Sequence, residues 1–314
     1  MFDIIRYSAD KADEWNAFVA ASKNGTFLFD RRYMDYHSDR FLDHSLMFYE
    51  KGKLYAVMPA NDDKHGSLCS HQGLTYGGLI MDKGCRAAKV RDLFLQMNDF
   101  LRDEVFHRVV YKHIPYIYSS LPAEEDLFAL TNVCGATIQS RDVASVVDLH
   151  RRLPLSELRR RGIKKAVASR LQVIESTDYT SFWDVLSSNL MERFHASPVH
   201  SLSEIELLSS RFPQNIKLYV VTDGEEVIGG TVLYISADIV KTQYISTNDR
   251  GRKVGALDYL FSCLLDKYES DGFRFFDFGT SNRVDTDDLN DPLIFQKEGF
   301  GGRAVCYDHY EWHL

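Results

Sequence analysis

Residues Phe273 to Gly302 read FRFFDFGTSNRVDTDDLNDPLIFQKEGFGG. The aromatic run Phe273–Phe278 predicts a buried strand with one acid, Asp277, near its end. A polar turn, Gly279-Thr280-Ser281-Asn282, follows. Next come a short apolar helix around Leu289, Leu293 and Ile294, the run Phe295-Gln296-Lys297-Glu298, and a glycine-rich exit, Gly299 to Gly302. Binding and chemical groups concentrate where a buried strand ends in a loop. Taken alone, the stretch also reads as no more than a strand, a loop and a glycine-capped helix.

Working outward, the chain switches to period two upstream of this stretch. Lys217–Thr222, a turn at Asp223-Gly224, Val227–Ile235 and Ile239–Thr247 predict a strand meander. A helix is expected from Asp249–Gly251 to about Ser270, with Leu257, Leu260, Phe261, Leu264, Leu265 and Tyr268 on its core stripe. Ser203 and Glu206 have the spacing of a capping box. Farther upstream, LPLSELRRRGIKKAVA (Leu153–Ala168) predicts a basic helix weakened in its middle by Gly162.

The first half follows a similar plan. An edge strand is expected within Met1–Ser8, strands at Ser45–Glu50 and Lys53–Ala60, a long helix from about Ala87 to Val105, then a strand, a shorter helix and a strand ending at Leu149. The expectation is an α/β protein with mixed sheets (α+β in part) and two similarly built domains, 1–152 and 153–314. A C-terminal strand, about 303–314, is open to return to the first. Two domains also suit a chain of 314 residues.

With 45% hydrophobic and 26% charged residues, the composition is that of a soluble globular protein, and no apolar run is long enough for a membrane helix. Five scattered cysteines without a CxxC pair argue against a disulfide framework or zinc cluster, and a cytoplasmic setting is expected. The net charge of −8 conceals an asymmetry. Residues 151–170 hold eight Lys/Arg against one acid, Glu157, which leaves the rest of the chain at −15. Such a segment is either a solvated helix face or a contact for a phosphate-bearing partner.

Three passages carry a family resemblance. Leu155–Ala166 is similar to the basic "RRNIRKA" helix of the FemAB-like peptidyltransferases and related acetyltransferase domains, and Phe276-Asp277-Phe278-Gly279 to their "DFG" strand end. Phe295–Gly301 is similar to their "FK..FG" segment, with one residue inserted. The order of meander, helix, strand and short helix resembles the GNAT acyltransferase fold. Arg252-x-x-Gly255-Ala256 resembles that family's donor loop, one residue short. Phe295 stands where the family often places a tyrosine general acid, so no phenol is available there. The first half matches only through GTFLFDRRYMDYH (Gly25–His37).

The resemblance implies two GNAT-like domains in tandem. It further implies acyl or aminoacyl transfer to an amine of a cell-wall or sugar-nucleotide acceptor held in an interdomain cleft. The donor would be an aminoacyl-tRNA, for which the basic helix in 151–170 is a candidate contact, or an acyl-CoA. No permanently bound cofactor or metal is expected. A non-catalytic binding protein on the same scaffold is the alternative from a different class.

Acyl transfer to an amine needs a neutral nucleophile and a donor or positive charge for the oxyanion. Lys297 is the candidate stabiliser, and reads equally as a lysine balancing a helix C-terminal dipole. Asp277 would accept the amine proton, orient Lys297, or simply tie down a strand end. Arg252, Gly255 and Ala256 are candidates for the donor phosphates. Gln243, Tyr244, Ser281 and Asn282 are candidate pocket contacts. Arg31, Arg32, His37, Tyr76 and Gly77 are candidate acceptor contacts in the first half, or ordinary surface and core residues.

Overall fold

The meander of alternating residues becomes three antiparallel strands, Ile216–Asp223, Glu226–Ser236 and Ile239–Thr247. The computed structural model describes residues 1–283, 286 and 288–314, with the backbone alone at Phe194. Val284, Asp285 and Asp287 of the opening stretch lie outside the described residues. The chain divides into two compact units: 1–142 together with 306–314, and 143–305. The first unit thus ends earlier than the 152/153 boundary read from the sequence. The last strand, Arg303–His313, pairs through His309–His313 with Arg108–Lys112 of that unit.

In the unit 143–305, Gln172–Ser176 extends the meander on one side, and Phe275–Thr280 follows Ile239–Thr247 on the other. That second junction is parallel and short: Ile239 with Phe275, Val240 with Phe276, Lys241 with Asp277. The strands then part. On its opposite edge Phe275–Thr280 pairs antiparallel with residues 144–148, and this ladder too is interrupted between Asp277 and Thr280. Asp277 is therefore the last residue held regularly on both sides. The strand spans 275–280 rather than 273–278, because the amides of Arg274 and Phe275 both bond the Asp238 carbonyl and Phe273 still closes the preceding helix on Tyr268.

The helix Ala256–Ser270 covers the sheet with Leu260, Phe261, Leu264, Leu265 and Tyr268 buried, while Leu257 is only half-buried. Phe261 meets Phe276, Phe278 and Phe300 edge to face. Full burial of one such ring contributes roughly 1.5–3 kcal/mol. The expected single helix 249–270 is two: Asp249–Val254 and Ala256–Ser270, parted at Gly255, whose φ is +78°. The cause is tertiary. The basic helix, Glu157–Ala168, crosses there, and a Cβ on Gly255 would lie 2.4 Å from the Gly162 carbonyl oxygen. Gly162, read as a weak point, is what lets the two backbones meet. The capping box forms at Ser201 and Glu204 rather than Ser203 and Glu206, and that register buries Ile205 and Leu208.

In the other unit, Asp3–Arg6, Leu46–Glu50, Lys53–Met58 and Ile80–Met81 form one sheet. The helix Ala87–Asp103 buries Val90, Leu93, Phe94, Met97 and Leu101. Trp312 of the returning strand donates its indole N–H to Asn98 at 3.1 Å. No helix among the described residues is long and apolar enough to cross a membrane.

A paired substitution tests the crossing. Gly224→Ala meets nothing within 4 Å at φ +64°, so it should cost only the left-handed backbone term, about 1 kcal/mol. Gly255→Ala adds the collision with Gly162 and should lower the urea midpoint further; equal losses would refute the contact.

Candidate functional site

Asp277 builds the site from the backbone outward. Its wholly buried carboxylate accepts the Gly279 N–H at 2.7 Å, and Gly279 takes φ +71°, a conformation glycine adopts without strain. Past this turn the carbonyls of Gly279 and Thr280 both accept from Lys297 Nζ, at 2.9 and 2.7 Å. Lys297 lies in the last turn of the helix Asp291–Glu298, which starts at Asn290, whose side chain accepts from the Leu293 amide, with Pro292 in the first turn.

Burial is the main reason that Lys297 is pushed down to about 8. Asp277 opposes that shift and Lys241 adds to it. Lys241, the strand partner of Asp277, is buried as well. Desolvation lowers it, Asp277 resists, and its Nζ donates to Gln243 Oε1 at 3.1 Å. Two buried lysines thus share one buried carboxylate. The sequence reading missed Lys241. Its signal was a lysine inside an otherwise apolar strand start, Ile239-Val240-Lys241, which a solvated strand face also produces.

Lys297 lines a cavity of about 610 Å³ within the unit 143–305. Arg252, Gly255 and Ala256 line it too, together with Arg159, Arg161 and Lys165 of the basic helix, Arg193 and Lys253. Against seven cationic side chains the wall carries one acid, Asp258, paired with Arg159. The first-turn residues of the helix Ala256–Ser270 are also in the wall, and amides at that position have no carbonyl partner within their own helix. The chamber therefore suits a ligand with several phosphates. Arg252 is held in place by Asn189 Oδ1 at 3.0 Å, the Thr247 carbonyl at 2.9 Å and an ion pair with Asp249.

The remaining candidates in this unit do not line the chamber. Gln243 is the extra residue of a bulge between Leu233–Thr242 and Val232–Tyr244. The Tyr244 hydroxyl shares a 2.5 Å hydrogen bond with His200 Nδ1, and its ring stands edge-on to Trp183. Ser281 and Asn282 hold Val143, through the Ser281 amide and through Asn282 Oδ1 at 2.8 Å. The buried Ser281 hydroxyl has no hydrogen-bond partner among the described residues.

The candidates of the first half belong to the other unit and are held internally. Arg31 is buried over the Tyr7 ring at 3.8 Å and paired with Asp35 and Asp43. Burial works against its charge, but those carboxylates outweigh it and raise its pKa. Arg32 grips Asp30 with two hydrogen bonds, at 2.9 and 2.8 Å. His37 is buried against Tyr36 and stacked on His71, and desolvation lowers its pKa. Tyr76 donates to Thr26 at 3.3 Å, and Gly77 leaves room for the Ser70 carbonyl.

Residues 155–286 match the family described as the acetyltransferase (GNAT) domain. No curated protein matches the sequence. Among solved structures, FemX aligns over 99% of this chain and 97% of its own at 10% identity, with a TM-score of 0.66. L-PGS from Bacillus licheniformis aligns over 98% and 92% at 12% identity and TM-score 0.60. A tandem GNAT protein from the clavulanic acid biosynthesis pathway aligns over 100% and 98% at 10% identity and TM-score 0.53. The chain carries a GNAT acyltransferase fold. The parting of the two strands after Lys241 and Asp277 has the form of the splayed strand pair of that fold.

Because Lys297 holds its proton less tightly in the folded GNAT unit than in the unfolded chain, folding releases protons between pH 8 and the ordinary lysine range. Its destabilising contribution is complete below pH 8 and is relieved as pH rises. The stability of wild type relative to Lys297→Met should therefore climb above pH 8 by at most about 1.4 kcal/mol per unit. Urea unfolding at pH 7 to 10 measures it, and parallel curves would show an unperturbed lysine.

Proposed function

We propose that the unit 143–305 transfers an acyl group from a phosphate-bearing activated donor to an amine, with acyl-CoA as the donor. The observation that carries this reading is the single chamber in which Lys297 meets the donor-loop candidates Arg252, Gly255 and Ala256 and the cations Arg159, Arg161, Lys165, Arg193 and Lys253. The positive charge of Arg159, Arg161 and Lys165, assigned from the sequence to a possible tRNA contact, lines that chamber. Acyl-CoA is also the co-substrate that GNAT acyltransferases use.

In the proposed reaction the neutral acceptor amine attacks the acyl carbonyl, and the oxyanion forms near Lys297. With its pKa at about 8, Lys297 is mostly charged at pH 7 and serves as the stabiliser. Asp277 is a positioning residue. Tied to the Gly279 amide, it sets the two carbonyls that fix Lys297. Phe295, 65% exposed, has no phenol to protonate the leaving group, which suits a thiolate, a better leaving group than an alkoxide. The acceptor class proposed is an amine of a cell-wall precursor or sugar nucleotide; its support is the FemX-like fold.

A charged tRNA is the second donor reading. Arg151, Arg160, Lys164 and Arg170 favour it, because they are exposed rather than lining the chamber. Thermal-shift titration separates the two. Coenzyme A should stabilise the protein, Arg161→Glu should weaken that binding about tenfold or more, and stabilisation by charged tRNA alone would overturn the acyl-CoA reading. With donor and amine supplied, Lys297→Met should lower kcat about 10²- to 10³-fold at unchanged coenzyme A affinity.

A further inference from the structure

We propose that Lys297 is itself an acyl acceptor: with no acceptor amine present, an acyl thioester in the cavity transfers its acyl group to Lys297 Nζ, and the resulting amide switches the site off. This rests on the acyltransferase reading above and adds a covalent modification site to it.

The geometry supplies each requirement. Lys297 is in the wall of the same chamber as the donor-loop candidates. Its nitrogen is fixed by exactly the bonds a neutral amine can make, since two hydrogens serve the carbonyls of Gly279 and Thr280 and the lone pair remains. Lys165 and Lys253, the other lysines of the wall, are exposed. The charged groups acting on Lys297 are Asp277 and Lys241 on the two splayed strands. Arg159 of the basic helix and Asp258 of the helix Ala256–Ser270 share the wall and neutralise each other.

In the step itself a bond forms between Nζ and the acyl carbon. The carbon–sulfur bond breaks with its electron pair going to sulfur, and the proton lost from Nζ ends on the thiolate. No redox partner is needed. The amide nitrogen carries no charge and one hydrogen, so the oxyanion stabiliser is lost and one buried carbonyl loses its partner.

The test incubates the full chain with acetyl-CoA and no acceptor at pH 7 and pH 9. Peptide mass spectrometry follows each lysine, and thermal shift reports coenzyme A binding. With Lys297 at about 8, its labelling should rise about tenfold between the two pH values and level off. Labelling of Lys165 and Lys253, both exposed, is followed at the same two pH values as the reference. Excess free coenzyme A should suppress labelling at Lys297 alone. Coenzyme A binding with Lys297 labelled no faster than Lys165 would overturn the proposal and leave the acyltransferase reading standing. Neither binding nor labelling would overturn both.

Discussion

A buried ammonium held by two backbone carbonyls is the constraint on which the C-terminal unit depends. Lys297 is 6% exposed, and a cation at that depth must find acceptors or lose its proton. The acceptors lie just past the point where both ladders flanking Phe275–Thr280 stop being regular, and Lys297 takes the carbonyls of Gly279 and Thr280 there. Asp277 then fixes the turn through the Gly279 amide, and Lys241 brings a second buried charge to the same carboxylate. Sheet geometry, glycine conformation and lysine chemistry are one arrangement here.

The cavity shows a second dependence, of charge on close backbone approach. The basic helix can face the segment Arg252–Ala256 because Gly162 and Gly255 let two backbones touch. Seven cations in one wall repel each other, and the Arg159–Asp258 and Arg252–Asp249 pairs offset part of that repulsion. An anionic ligand in the cavity would relieve the remainder. Arg159 also lies over the Phe300 ring, at 5.3 Å, which ties the charged wall to the aromatic core under the sheet.

The N-terminal unit follows different logic. Its basic and aromatic segment, Asn24–His37, resembles a ligand-binding surface in composition. Its cations are nonetheless saturated by their own neighbours: Arg31 by Asp35, Asp43 and the Tyr7 ring, Arg32 by Asp30. Residue types alone cannot separate a charge that awaits a ligand from one already paired within the chain.

What the sequence determined by itself was local and periodic. The meander from Ile216 to Thr247, the aromatic strand, the basic helix and the order of these elements follow from alternation, helical spacing and the positions of glycine. Those signals arise between residues a few positions apart, so they are written in the chain. Lys297 and Asp277 were legible as charges at a helix end and a strand end, with their relation to each other only one of several alternatives. Tertiary structure decided the rest. The break at Gly255 needs the approach of Gly162, more than ninety residues earlier in the chain. The lowered affinity of Lys297 for its proton needs burial beside Lys241 and Asp277, and the fate of Arg31 needs Asp43 and Tyr7. Each is a through-space effect between groups that no short-range pattern connects, so it came into being only when the chain folded.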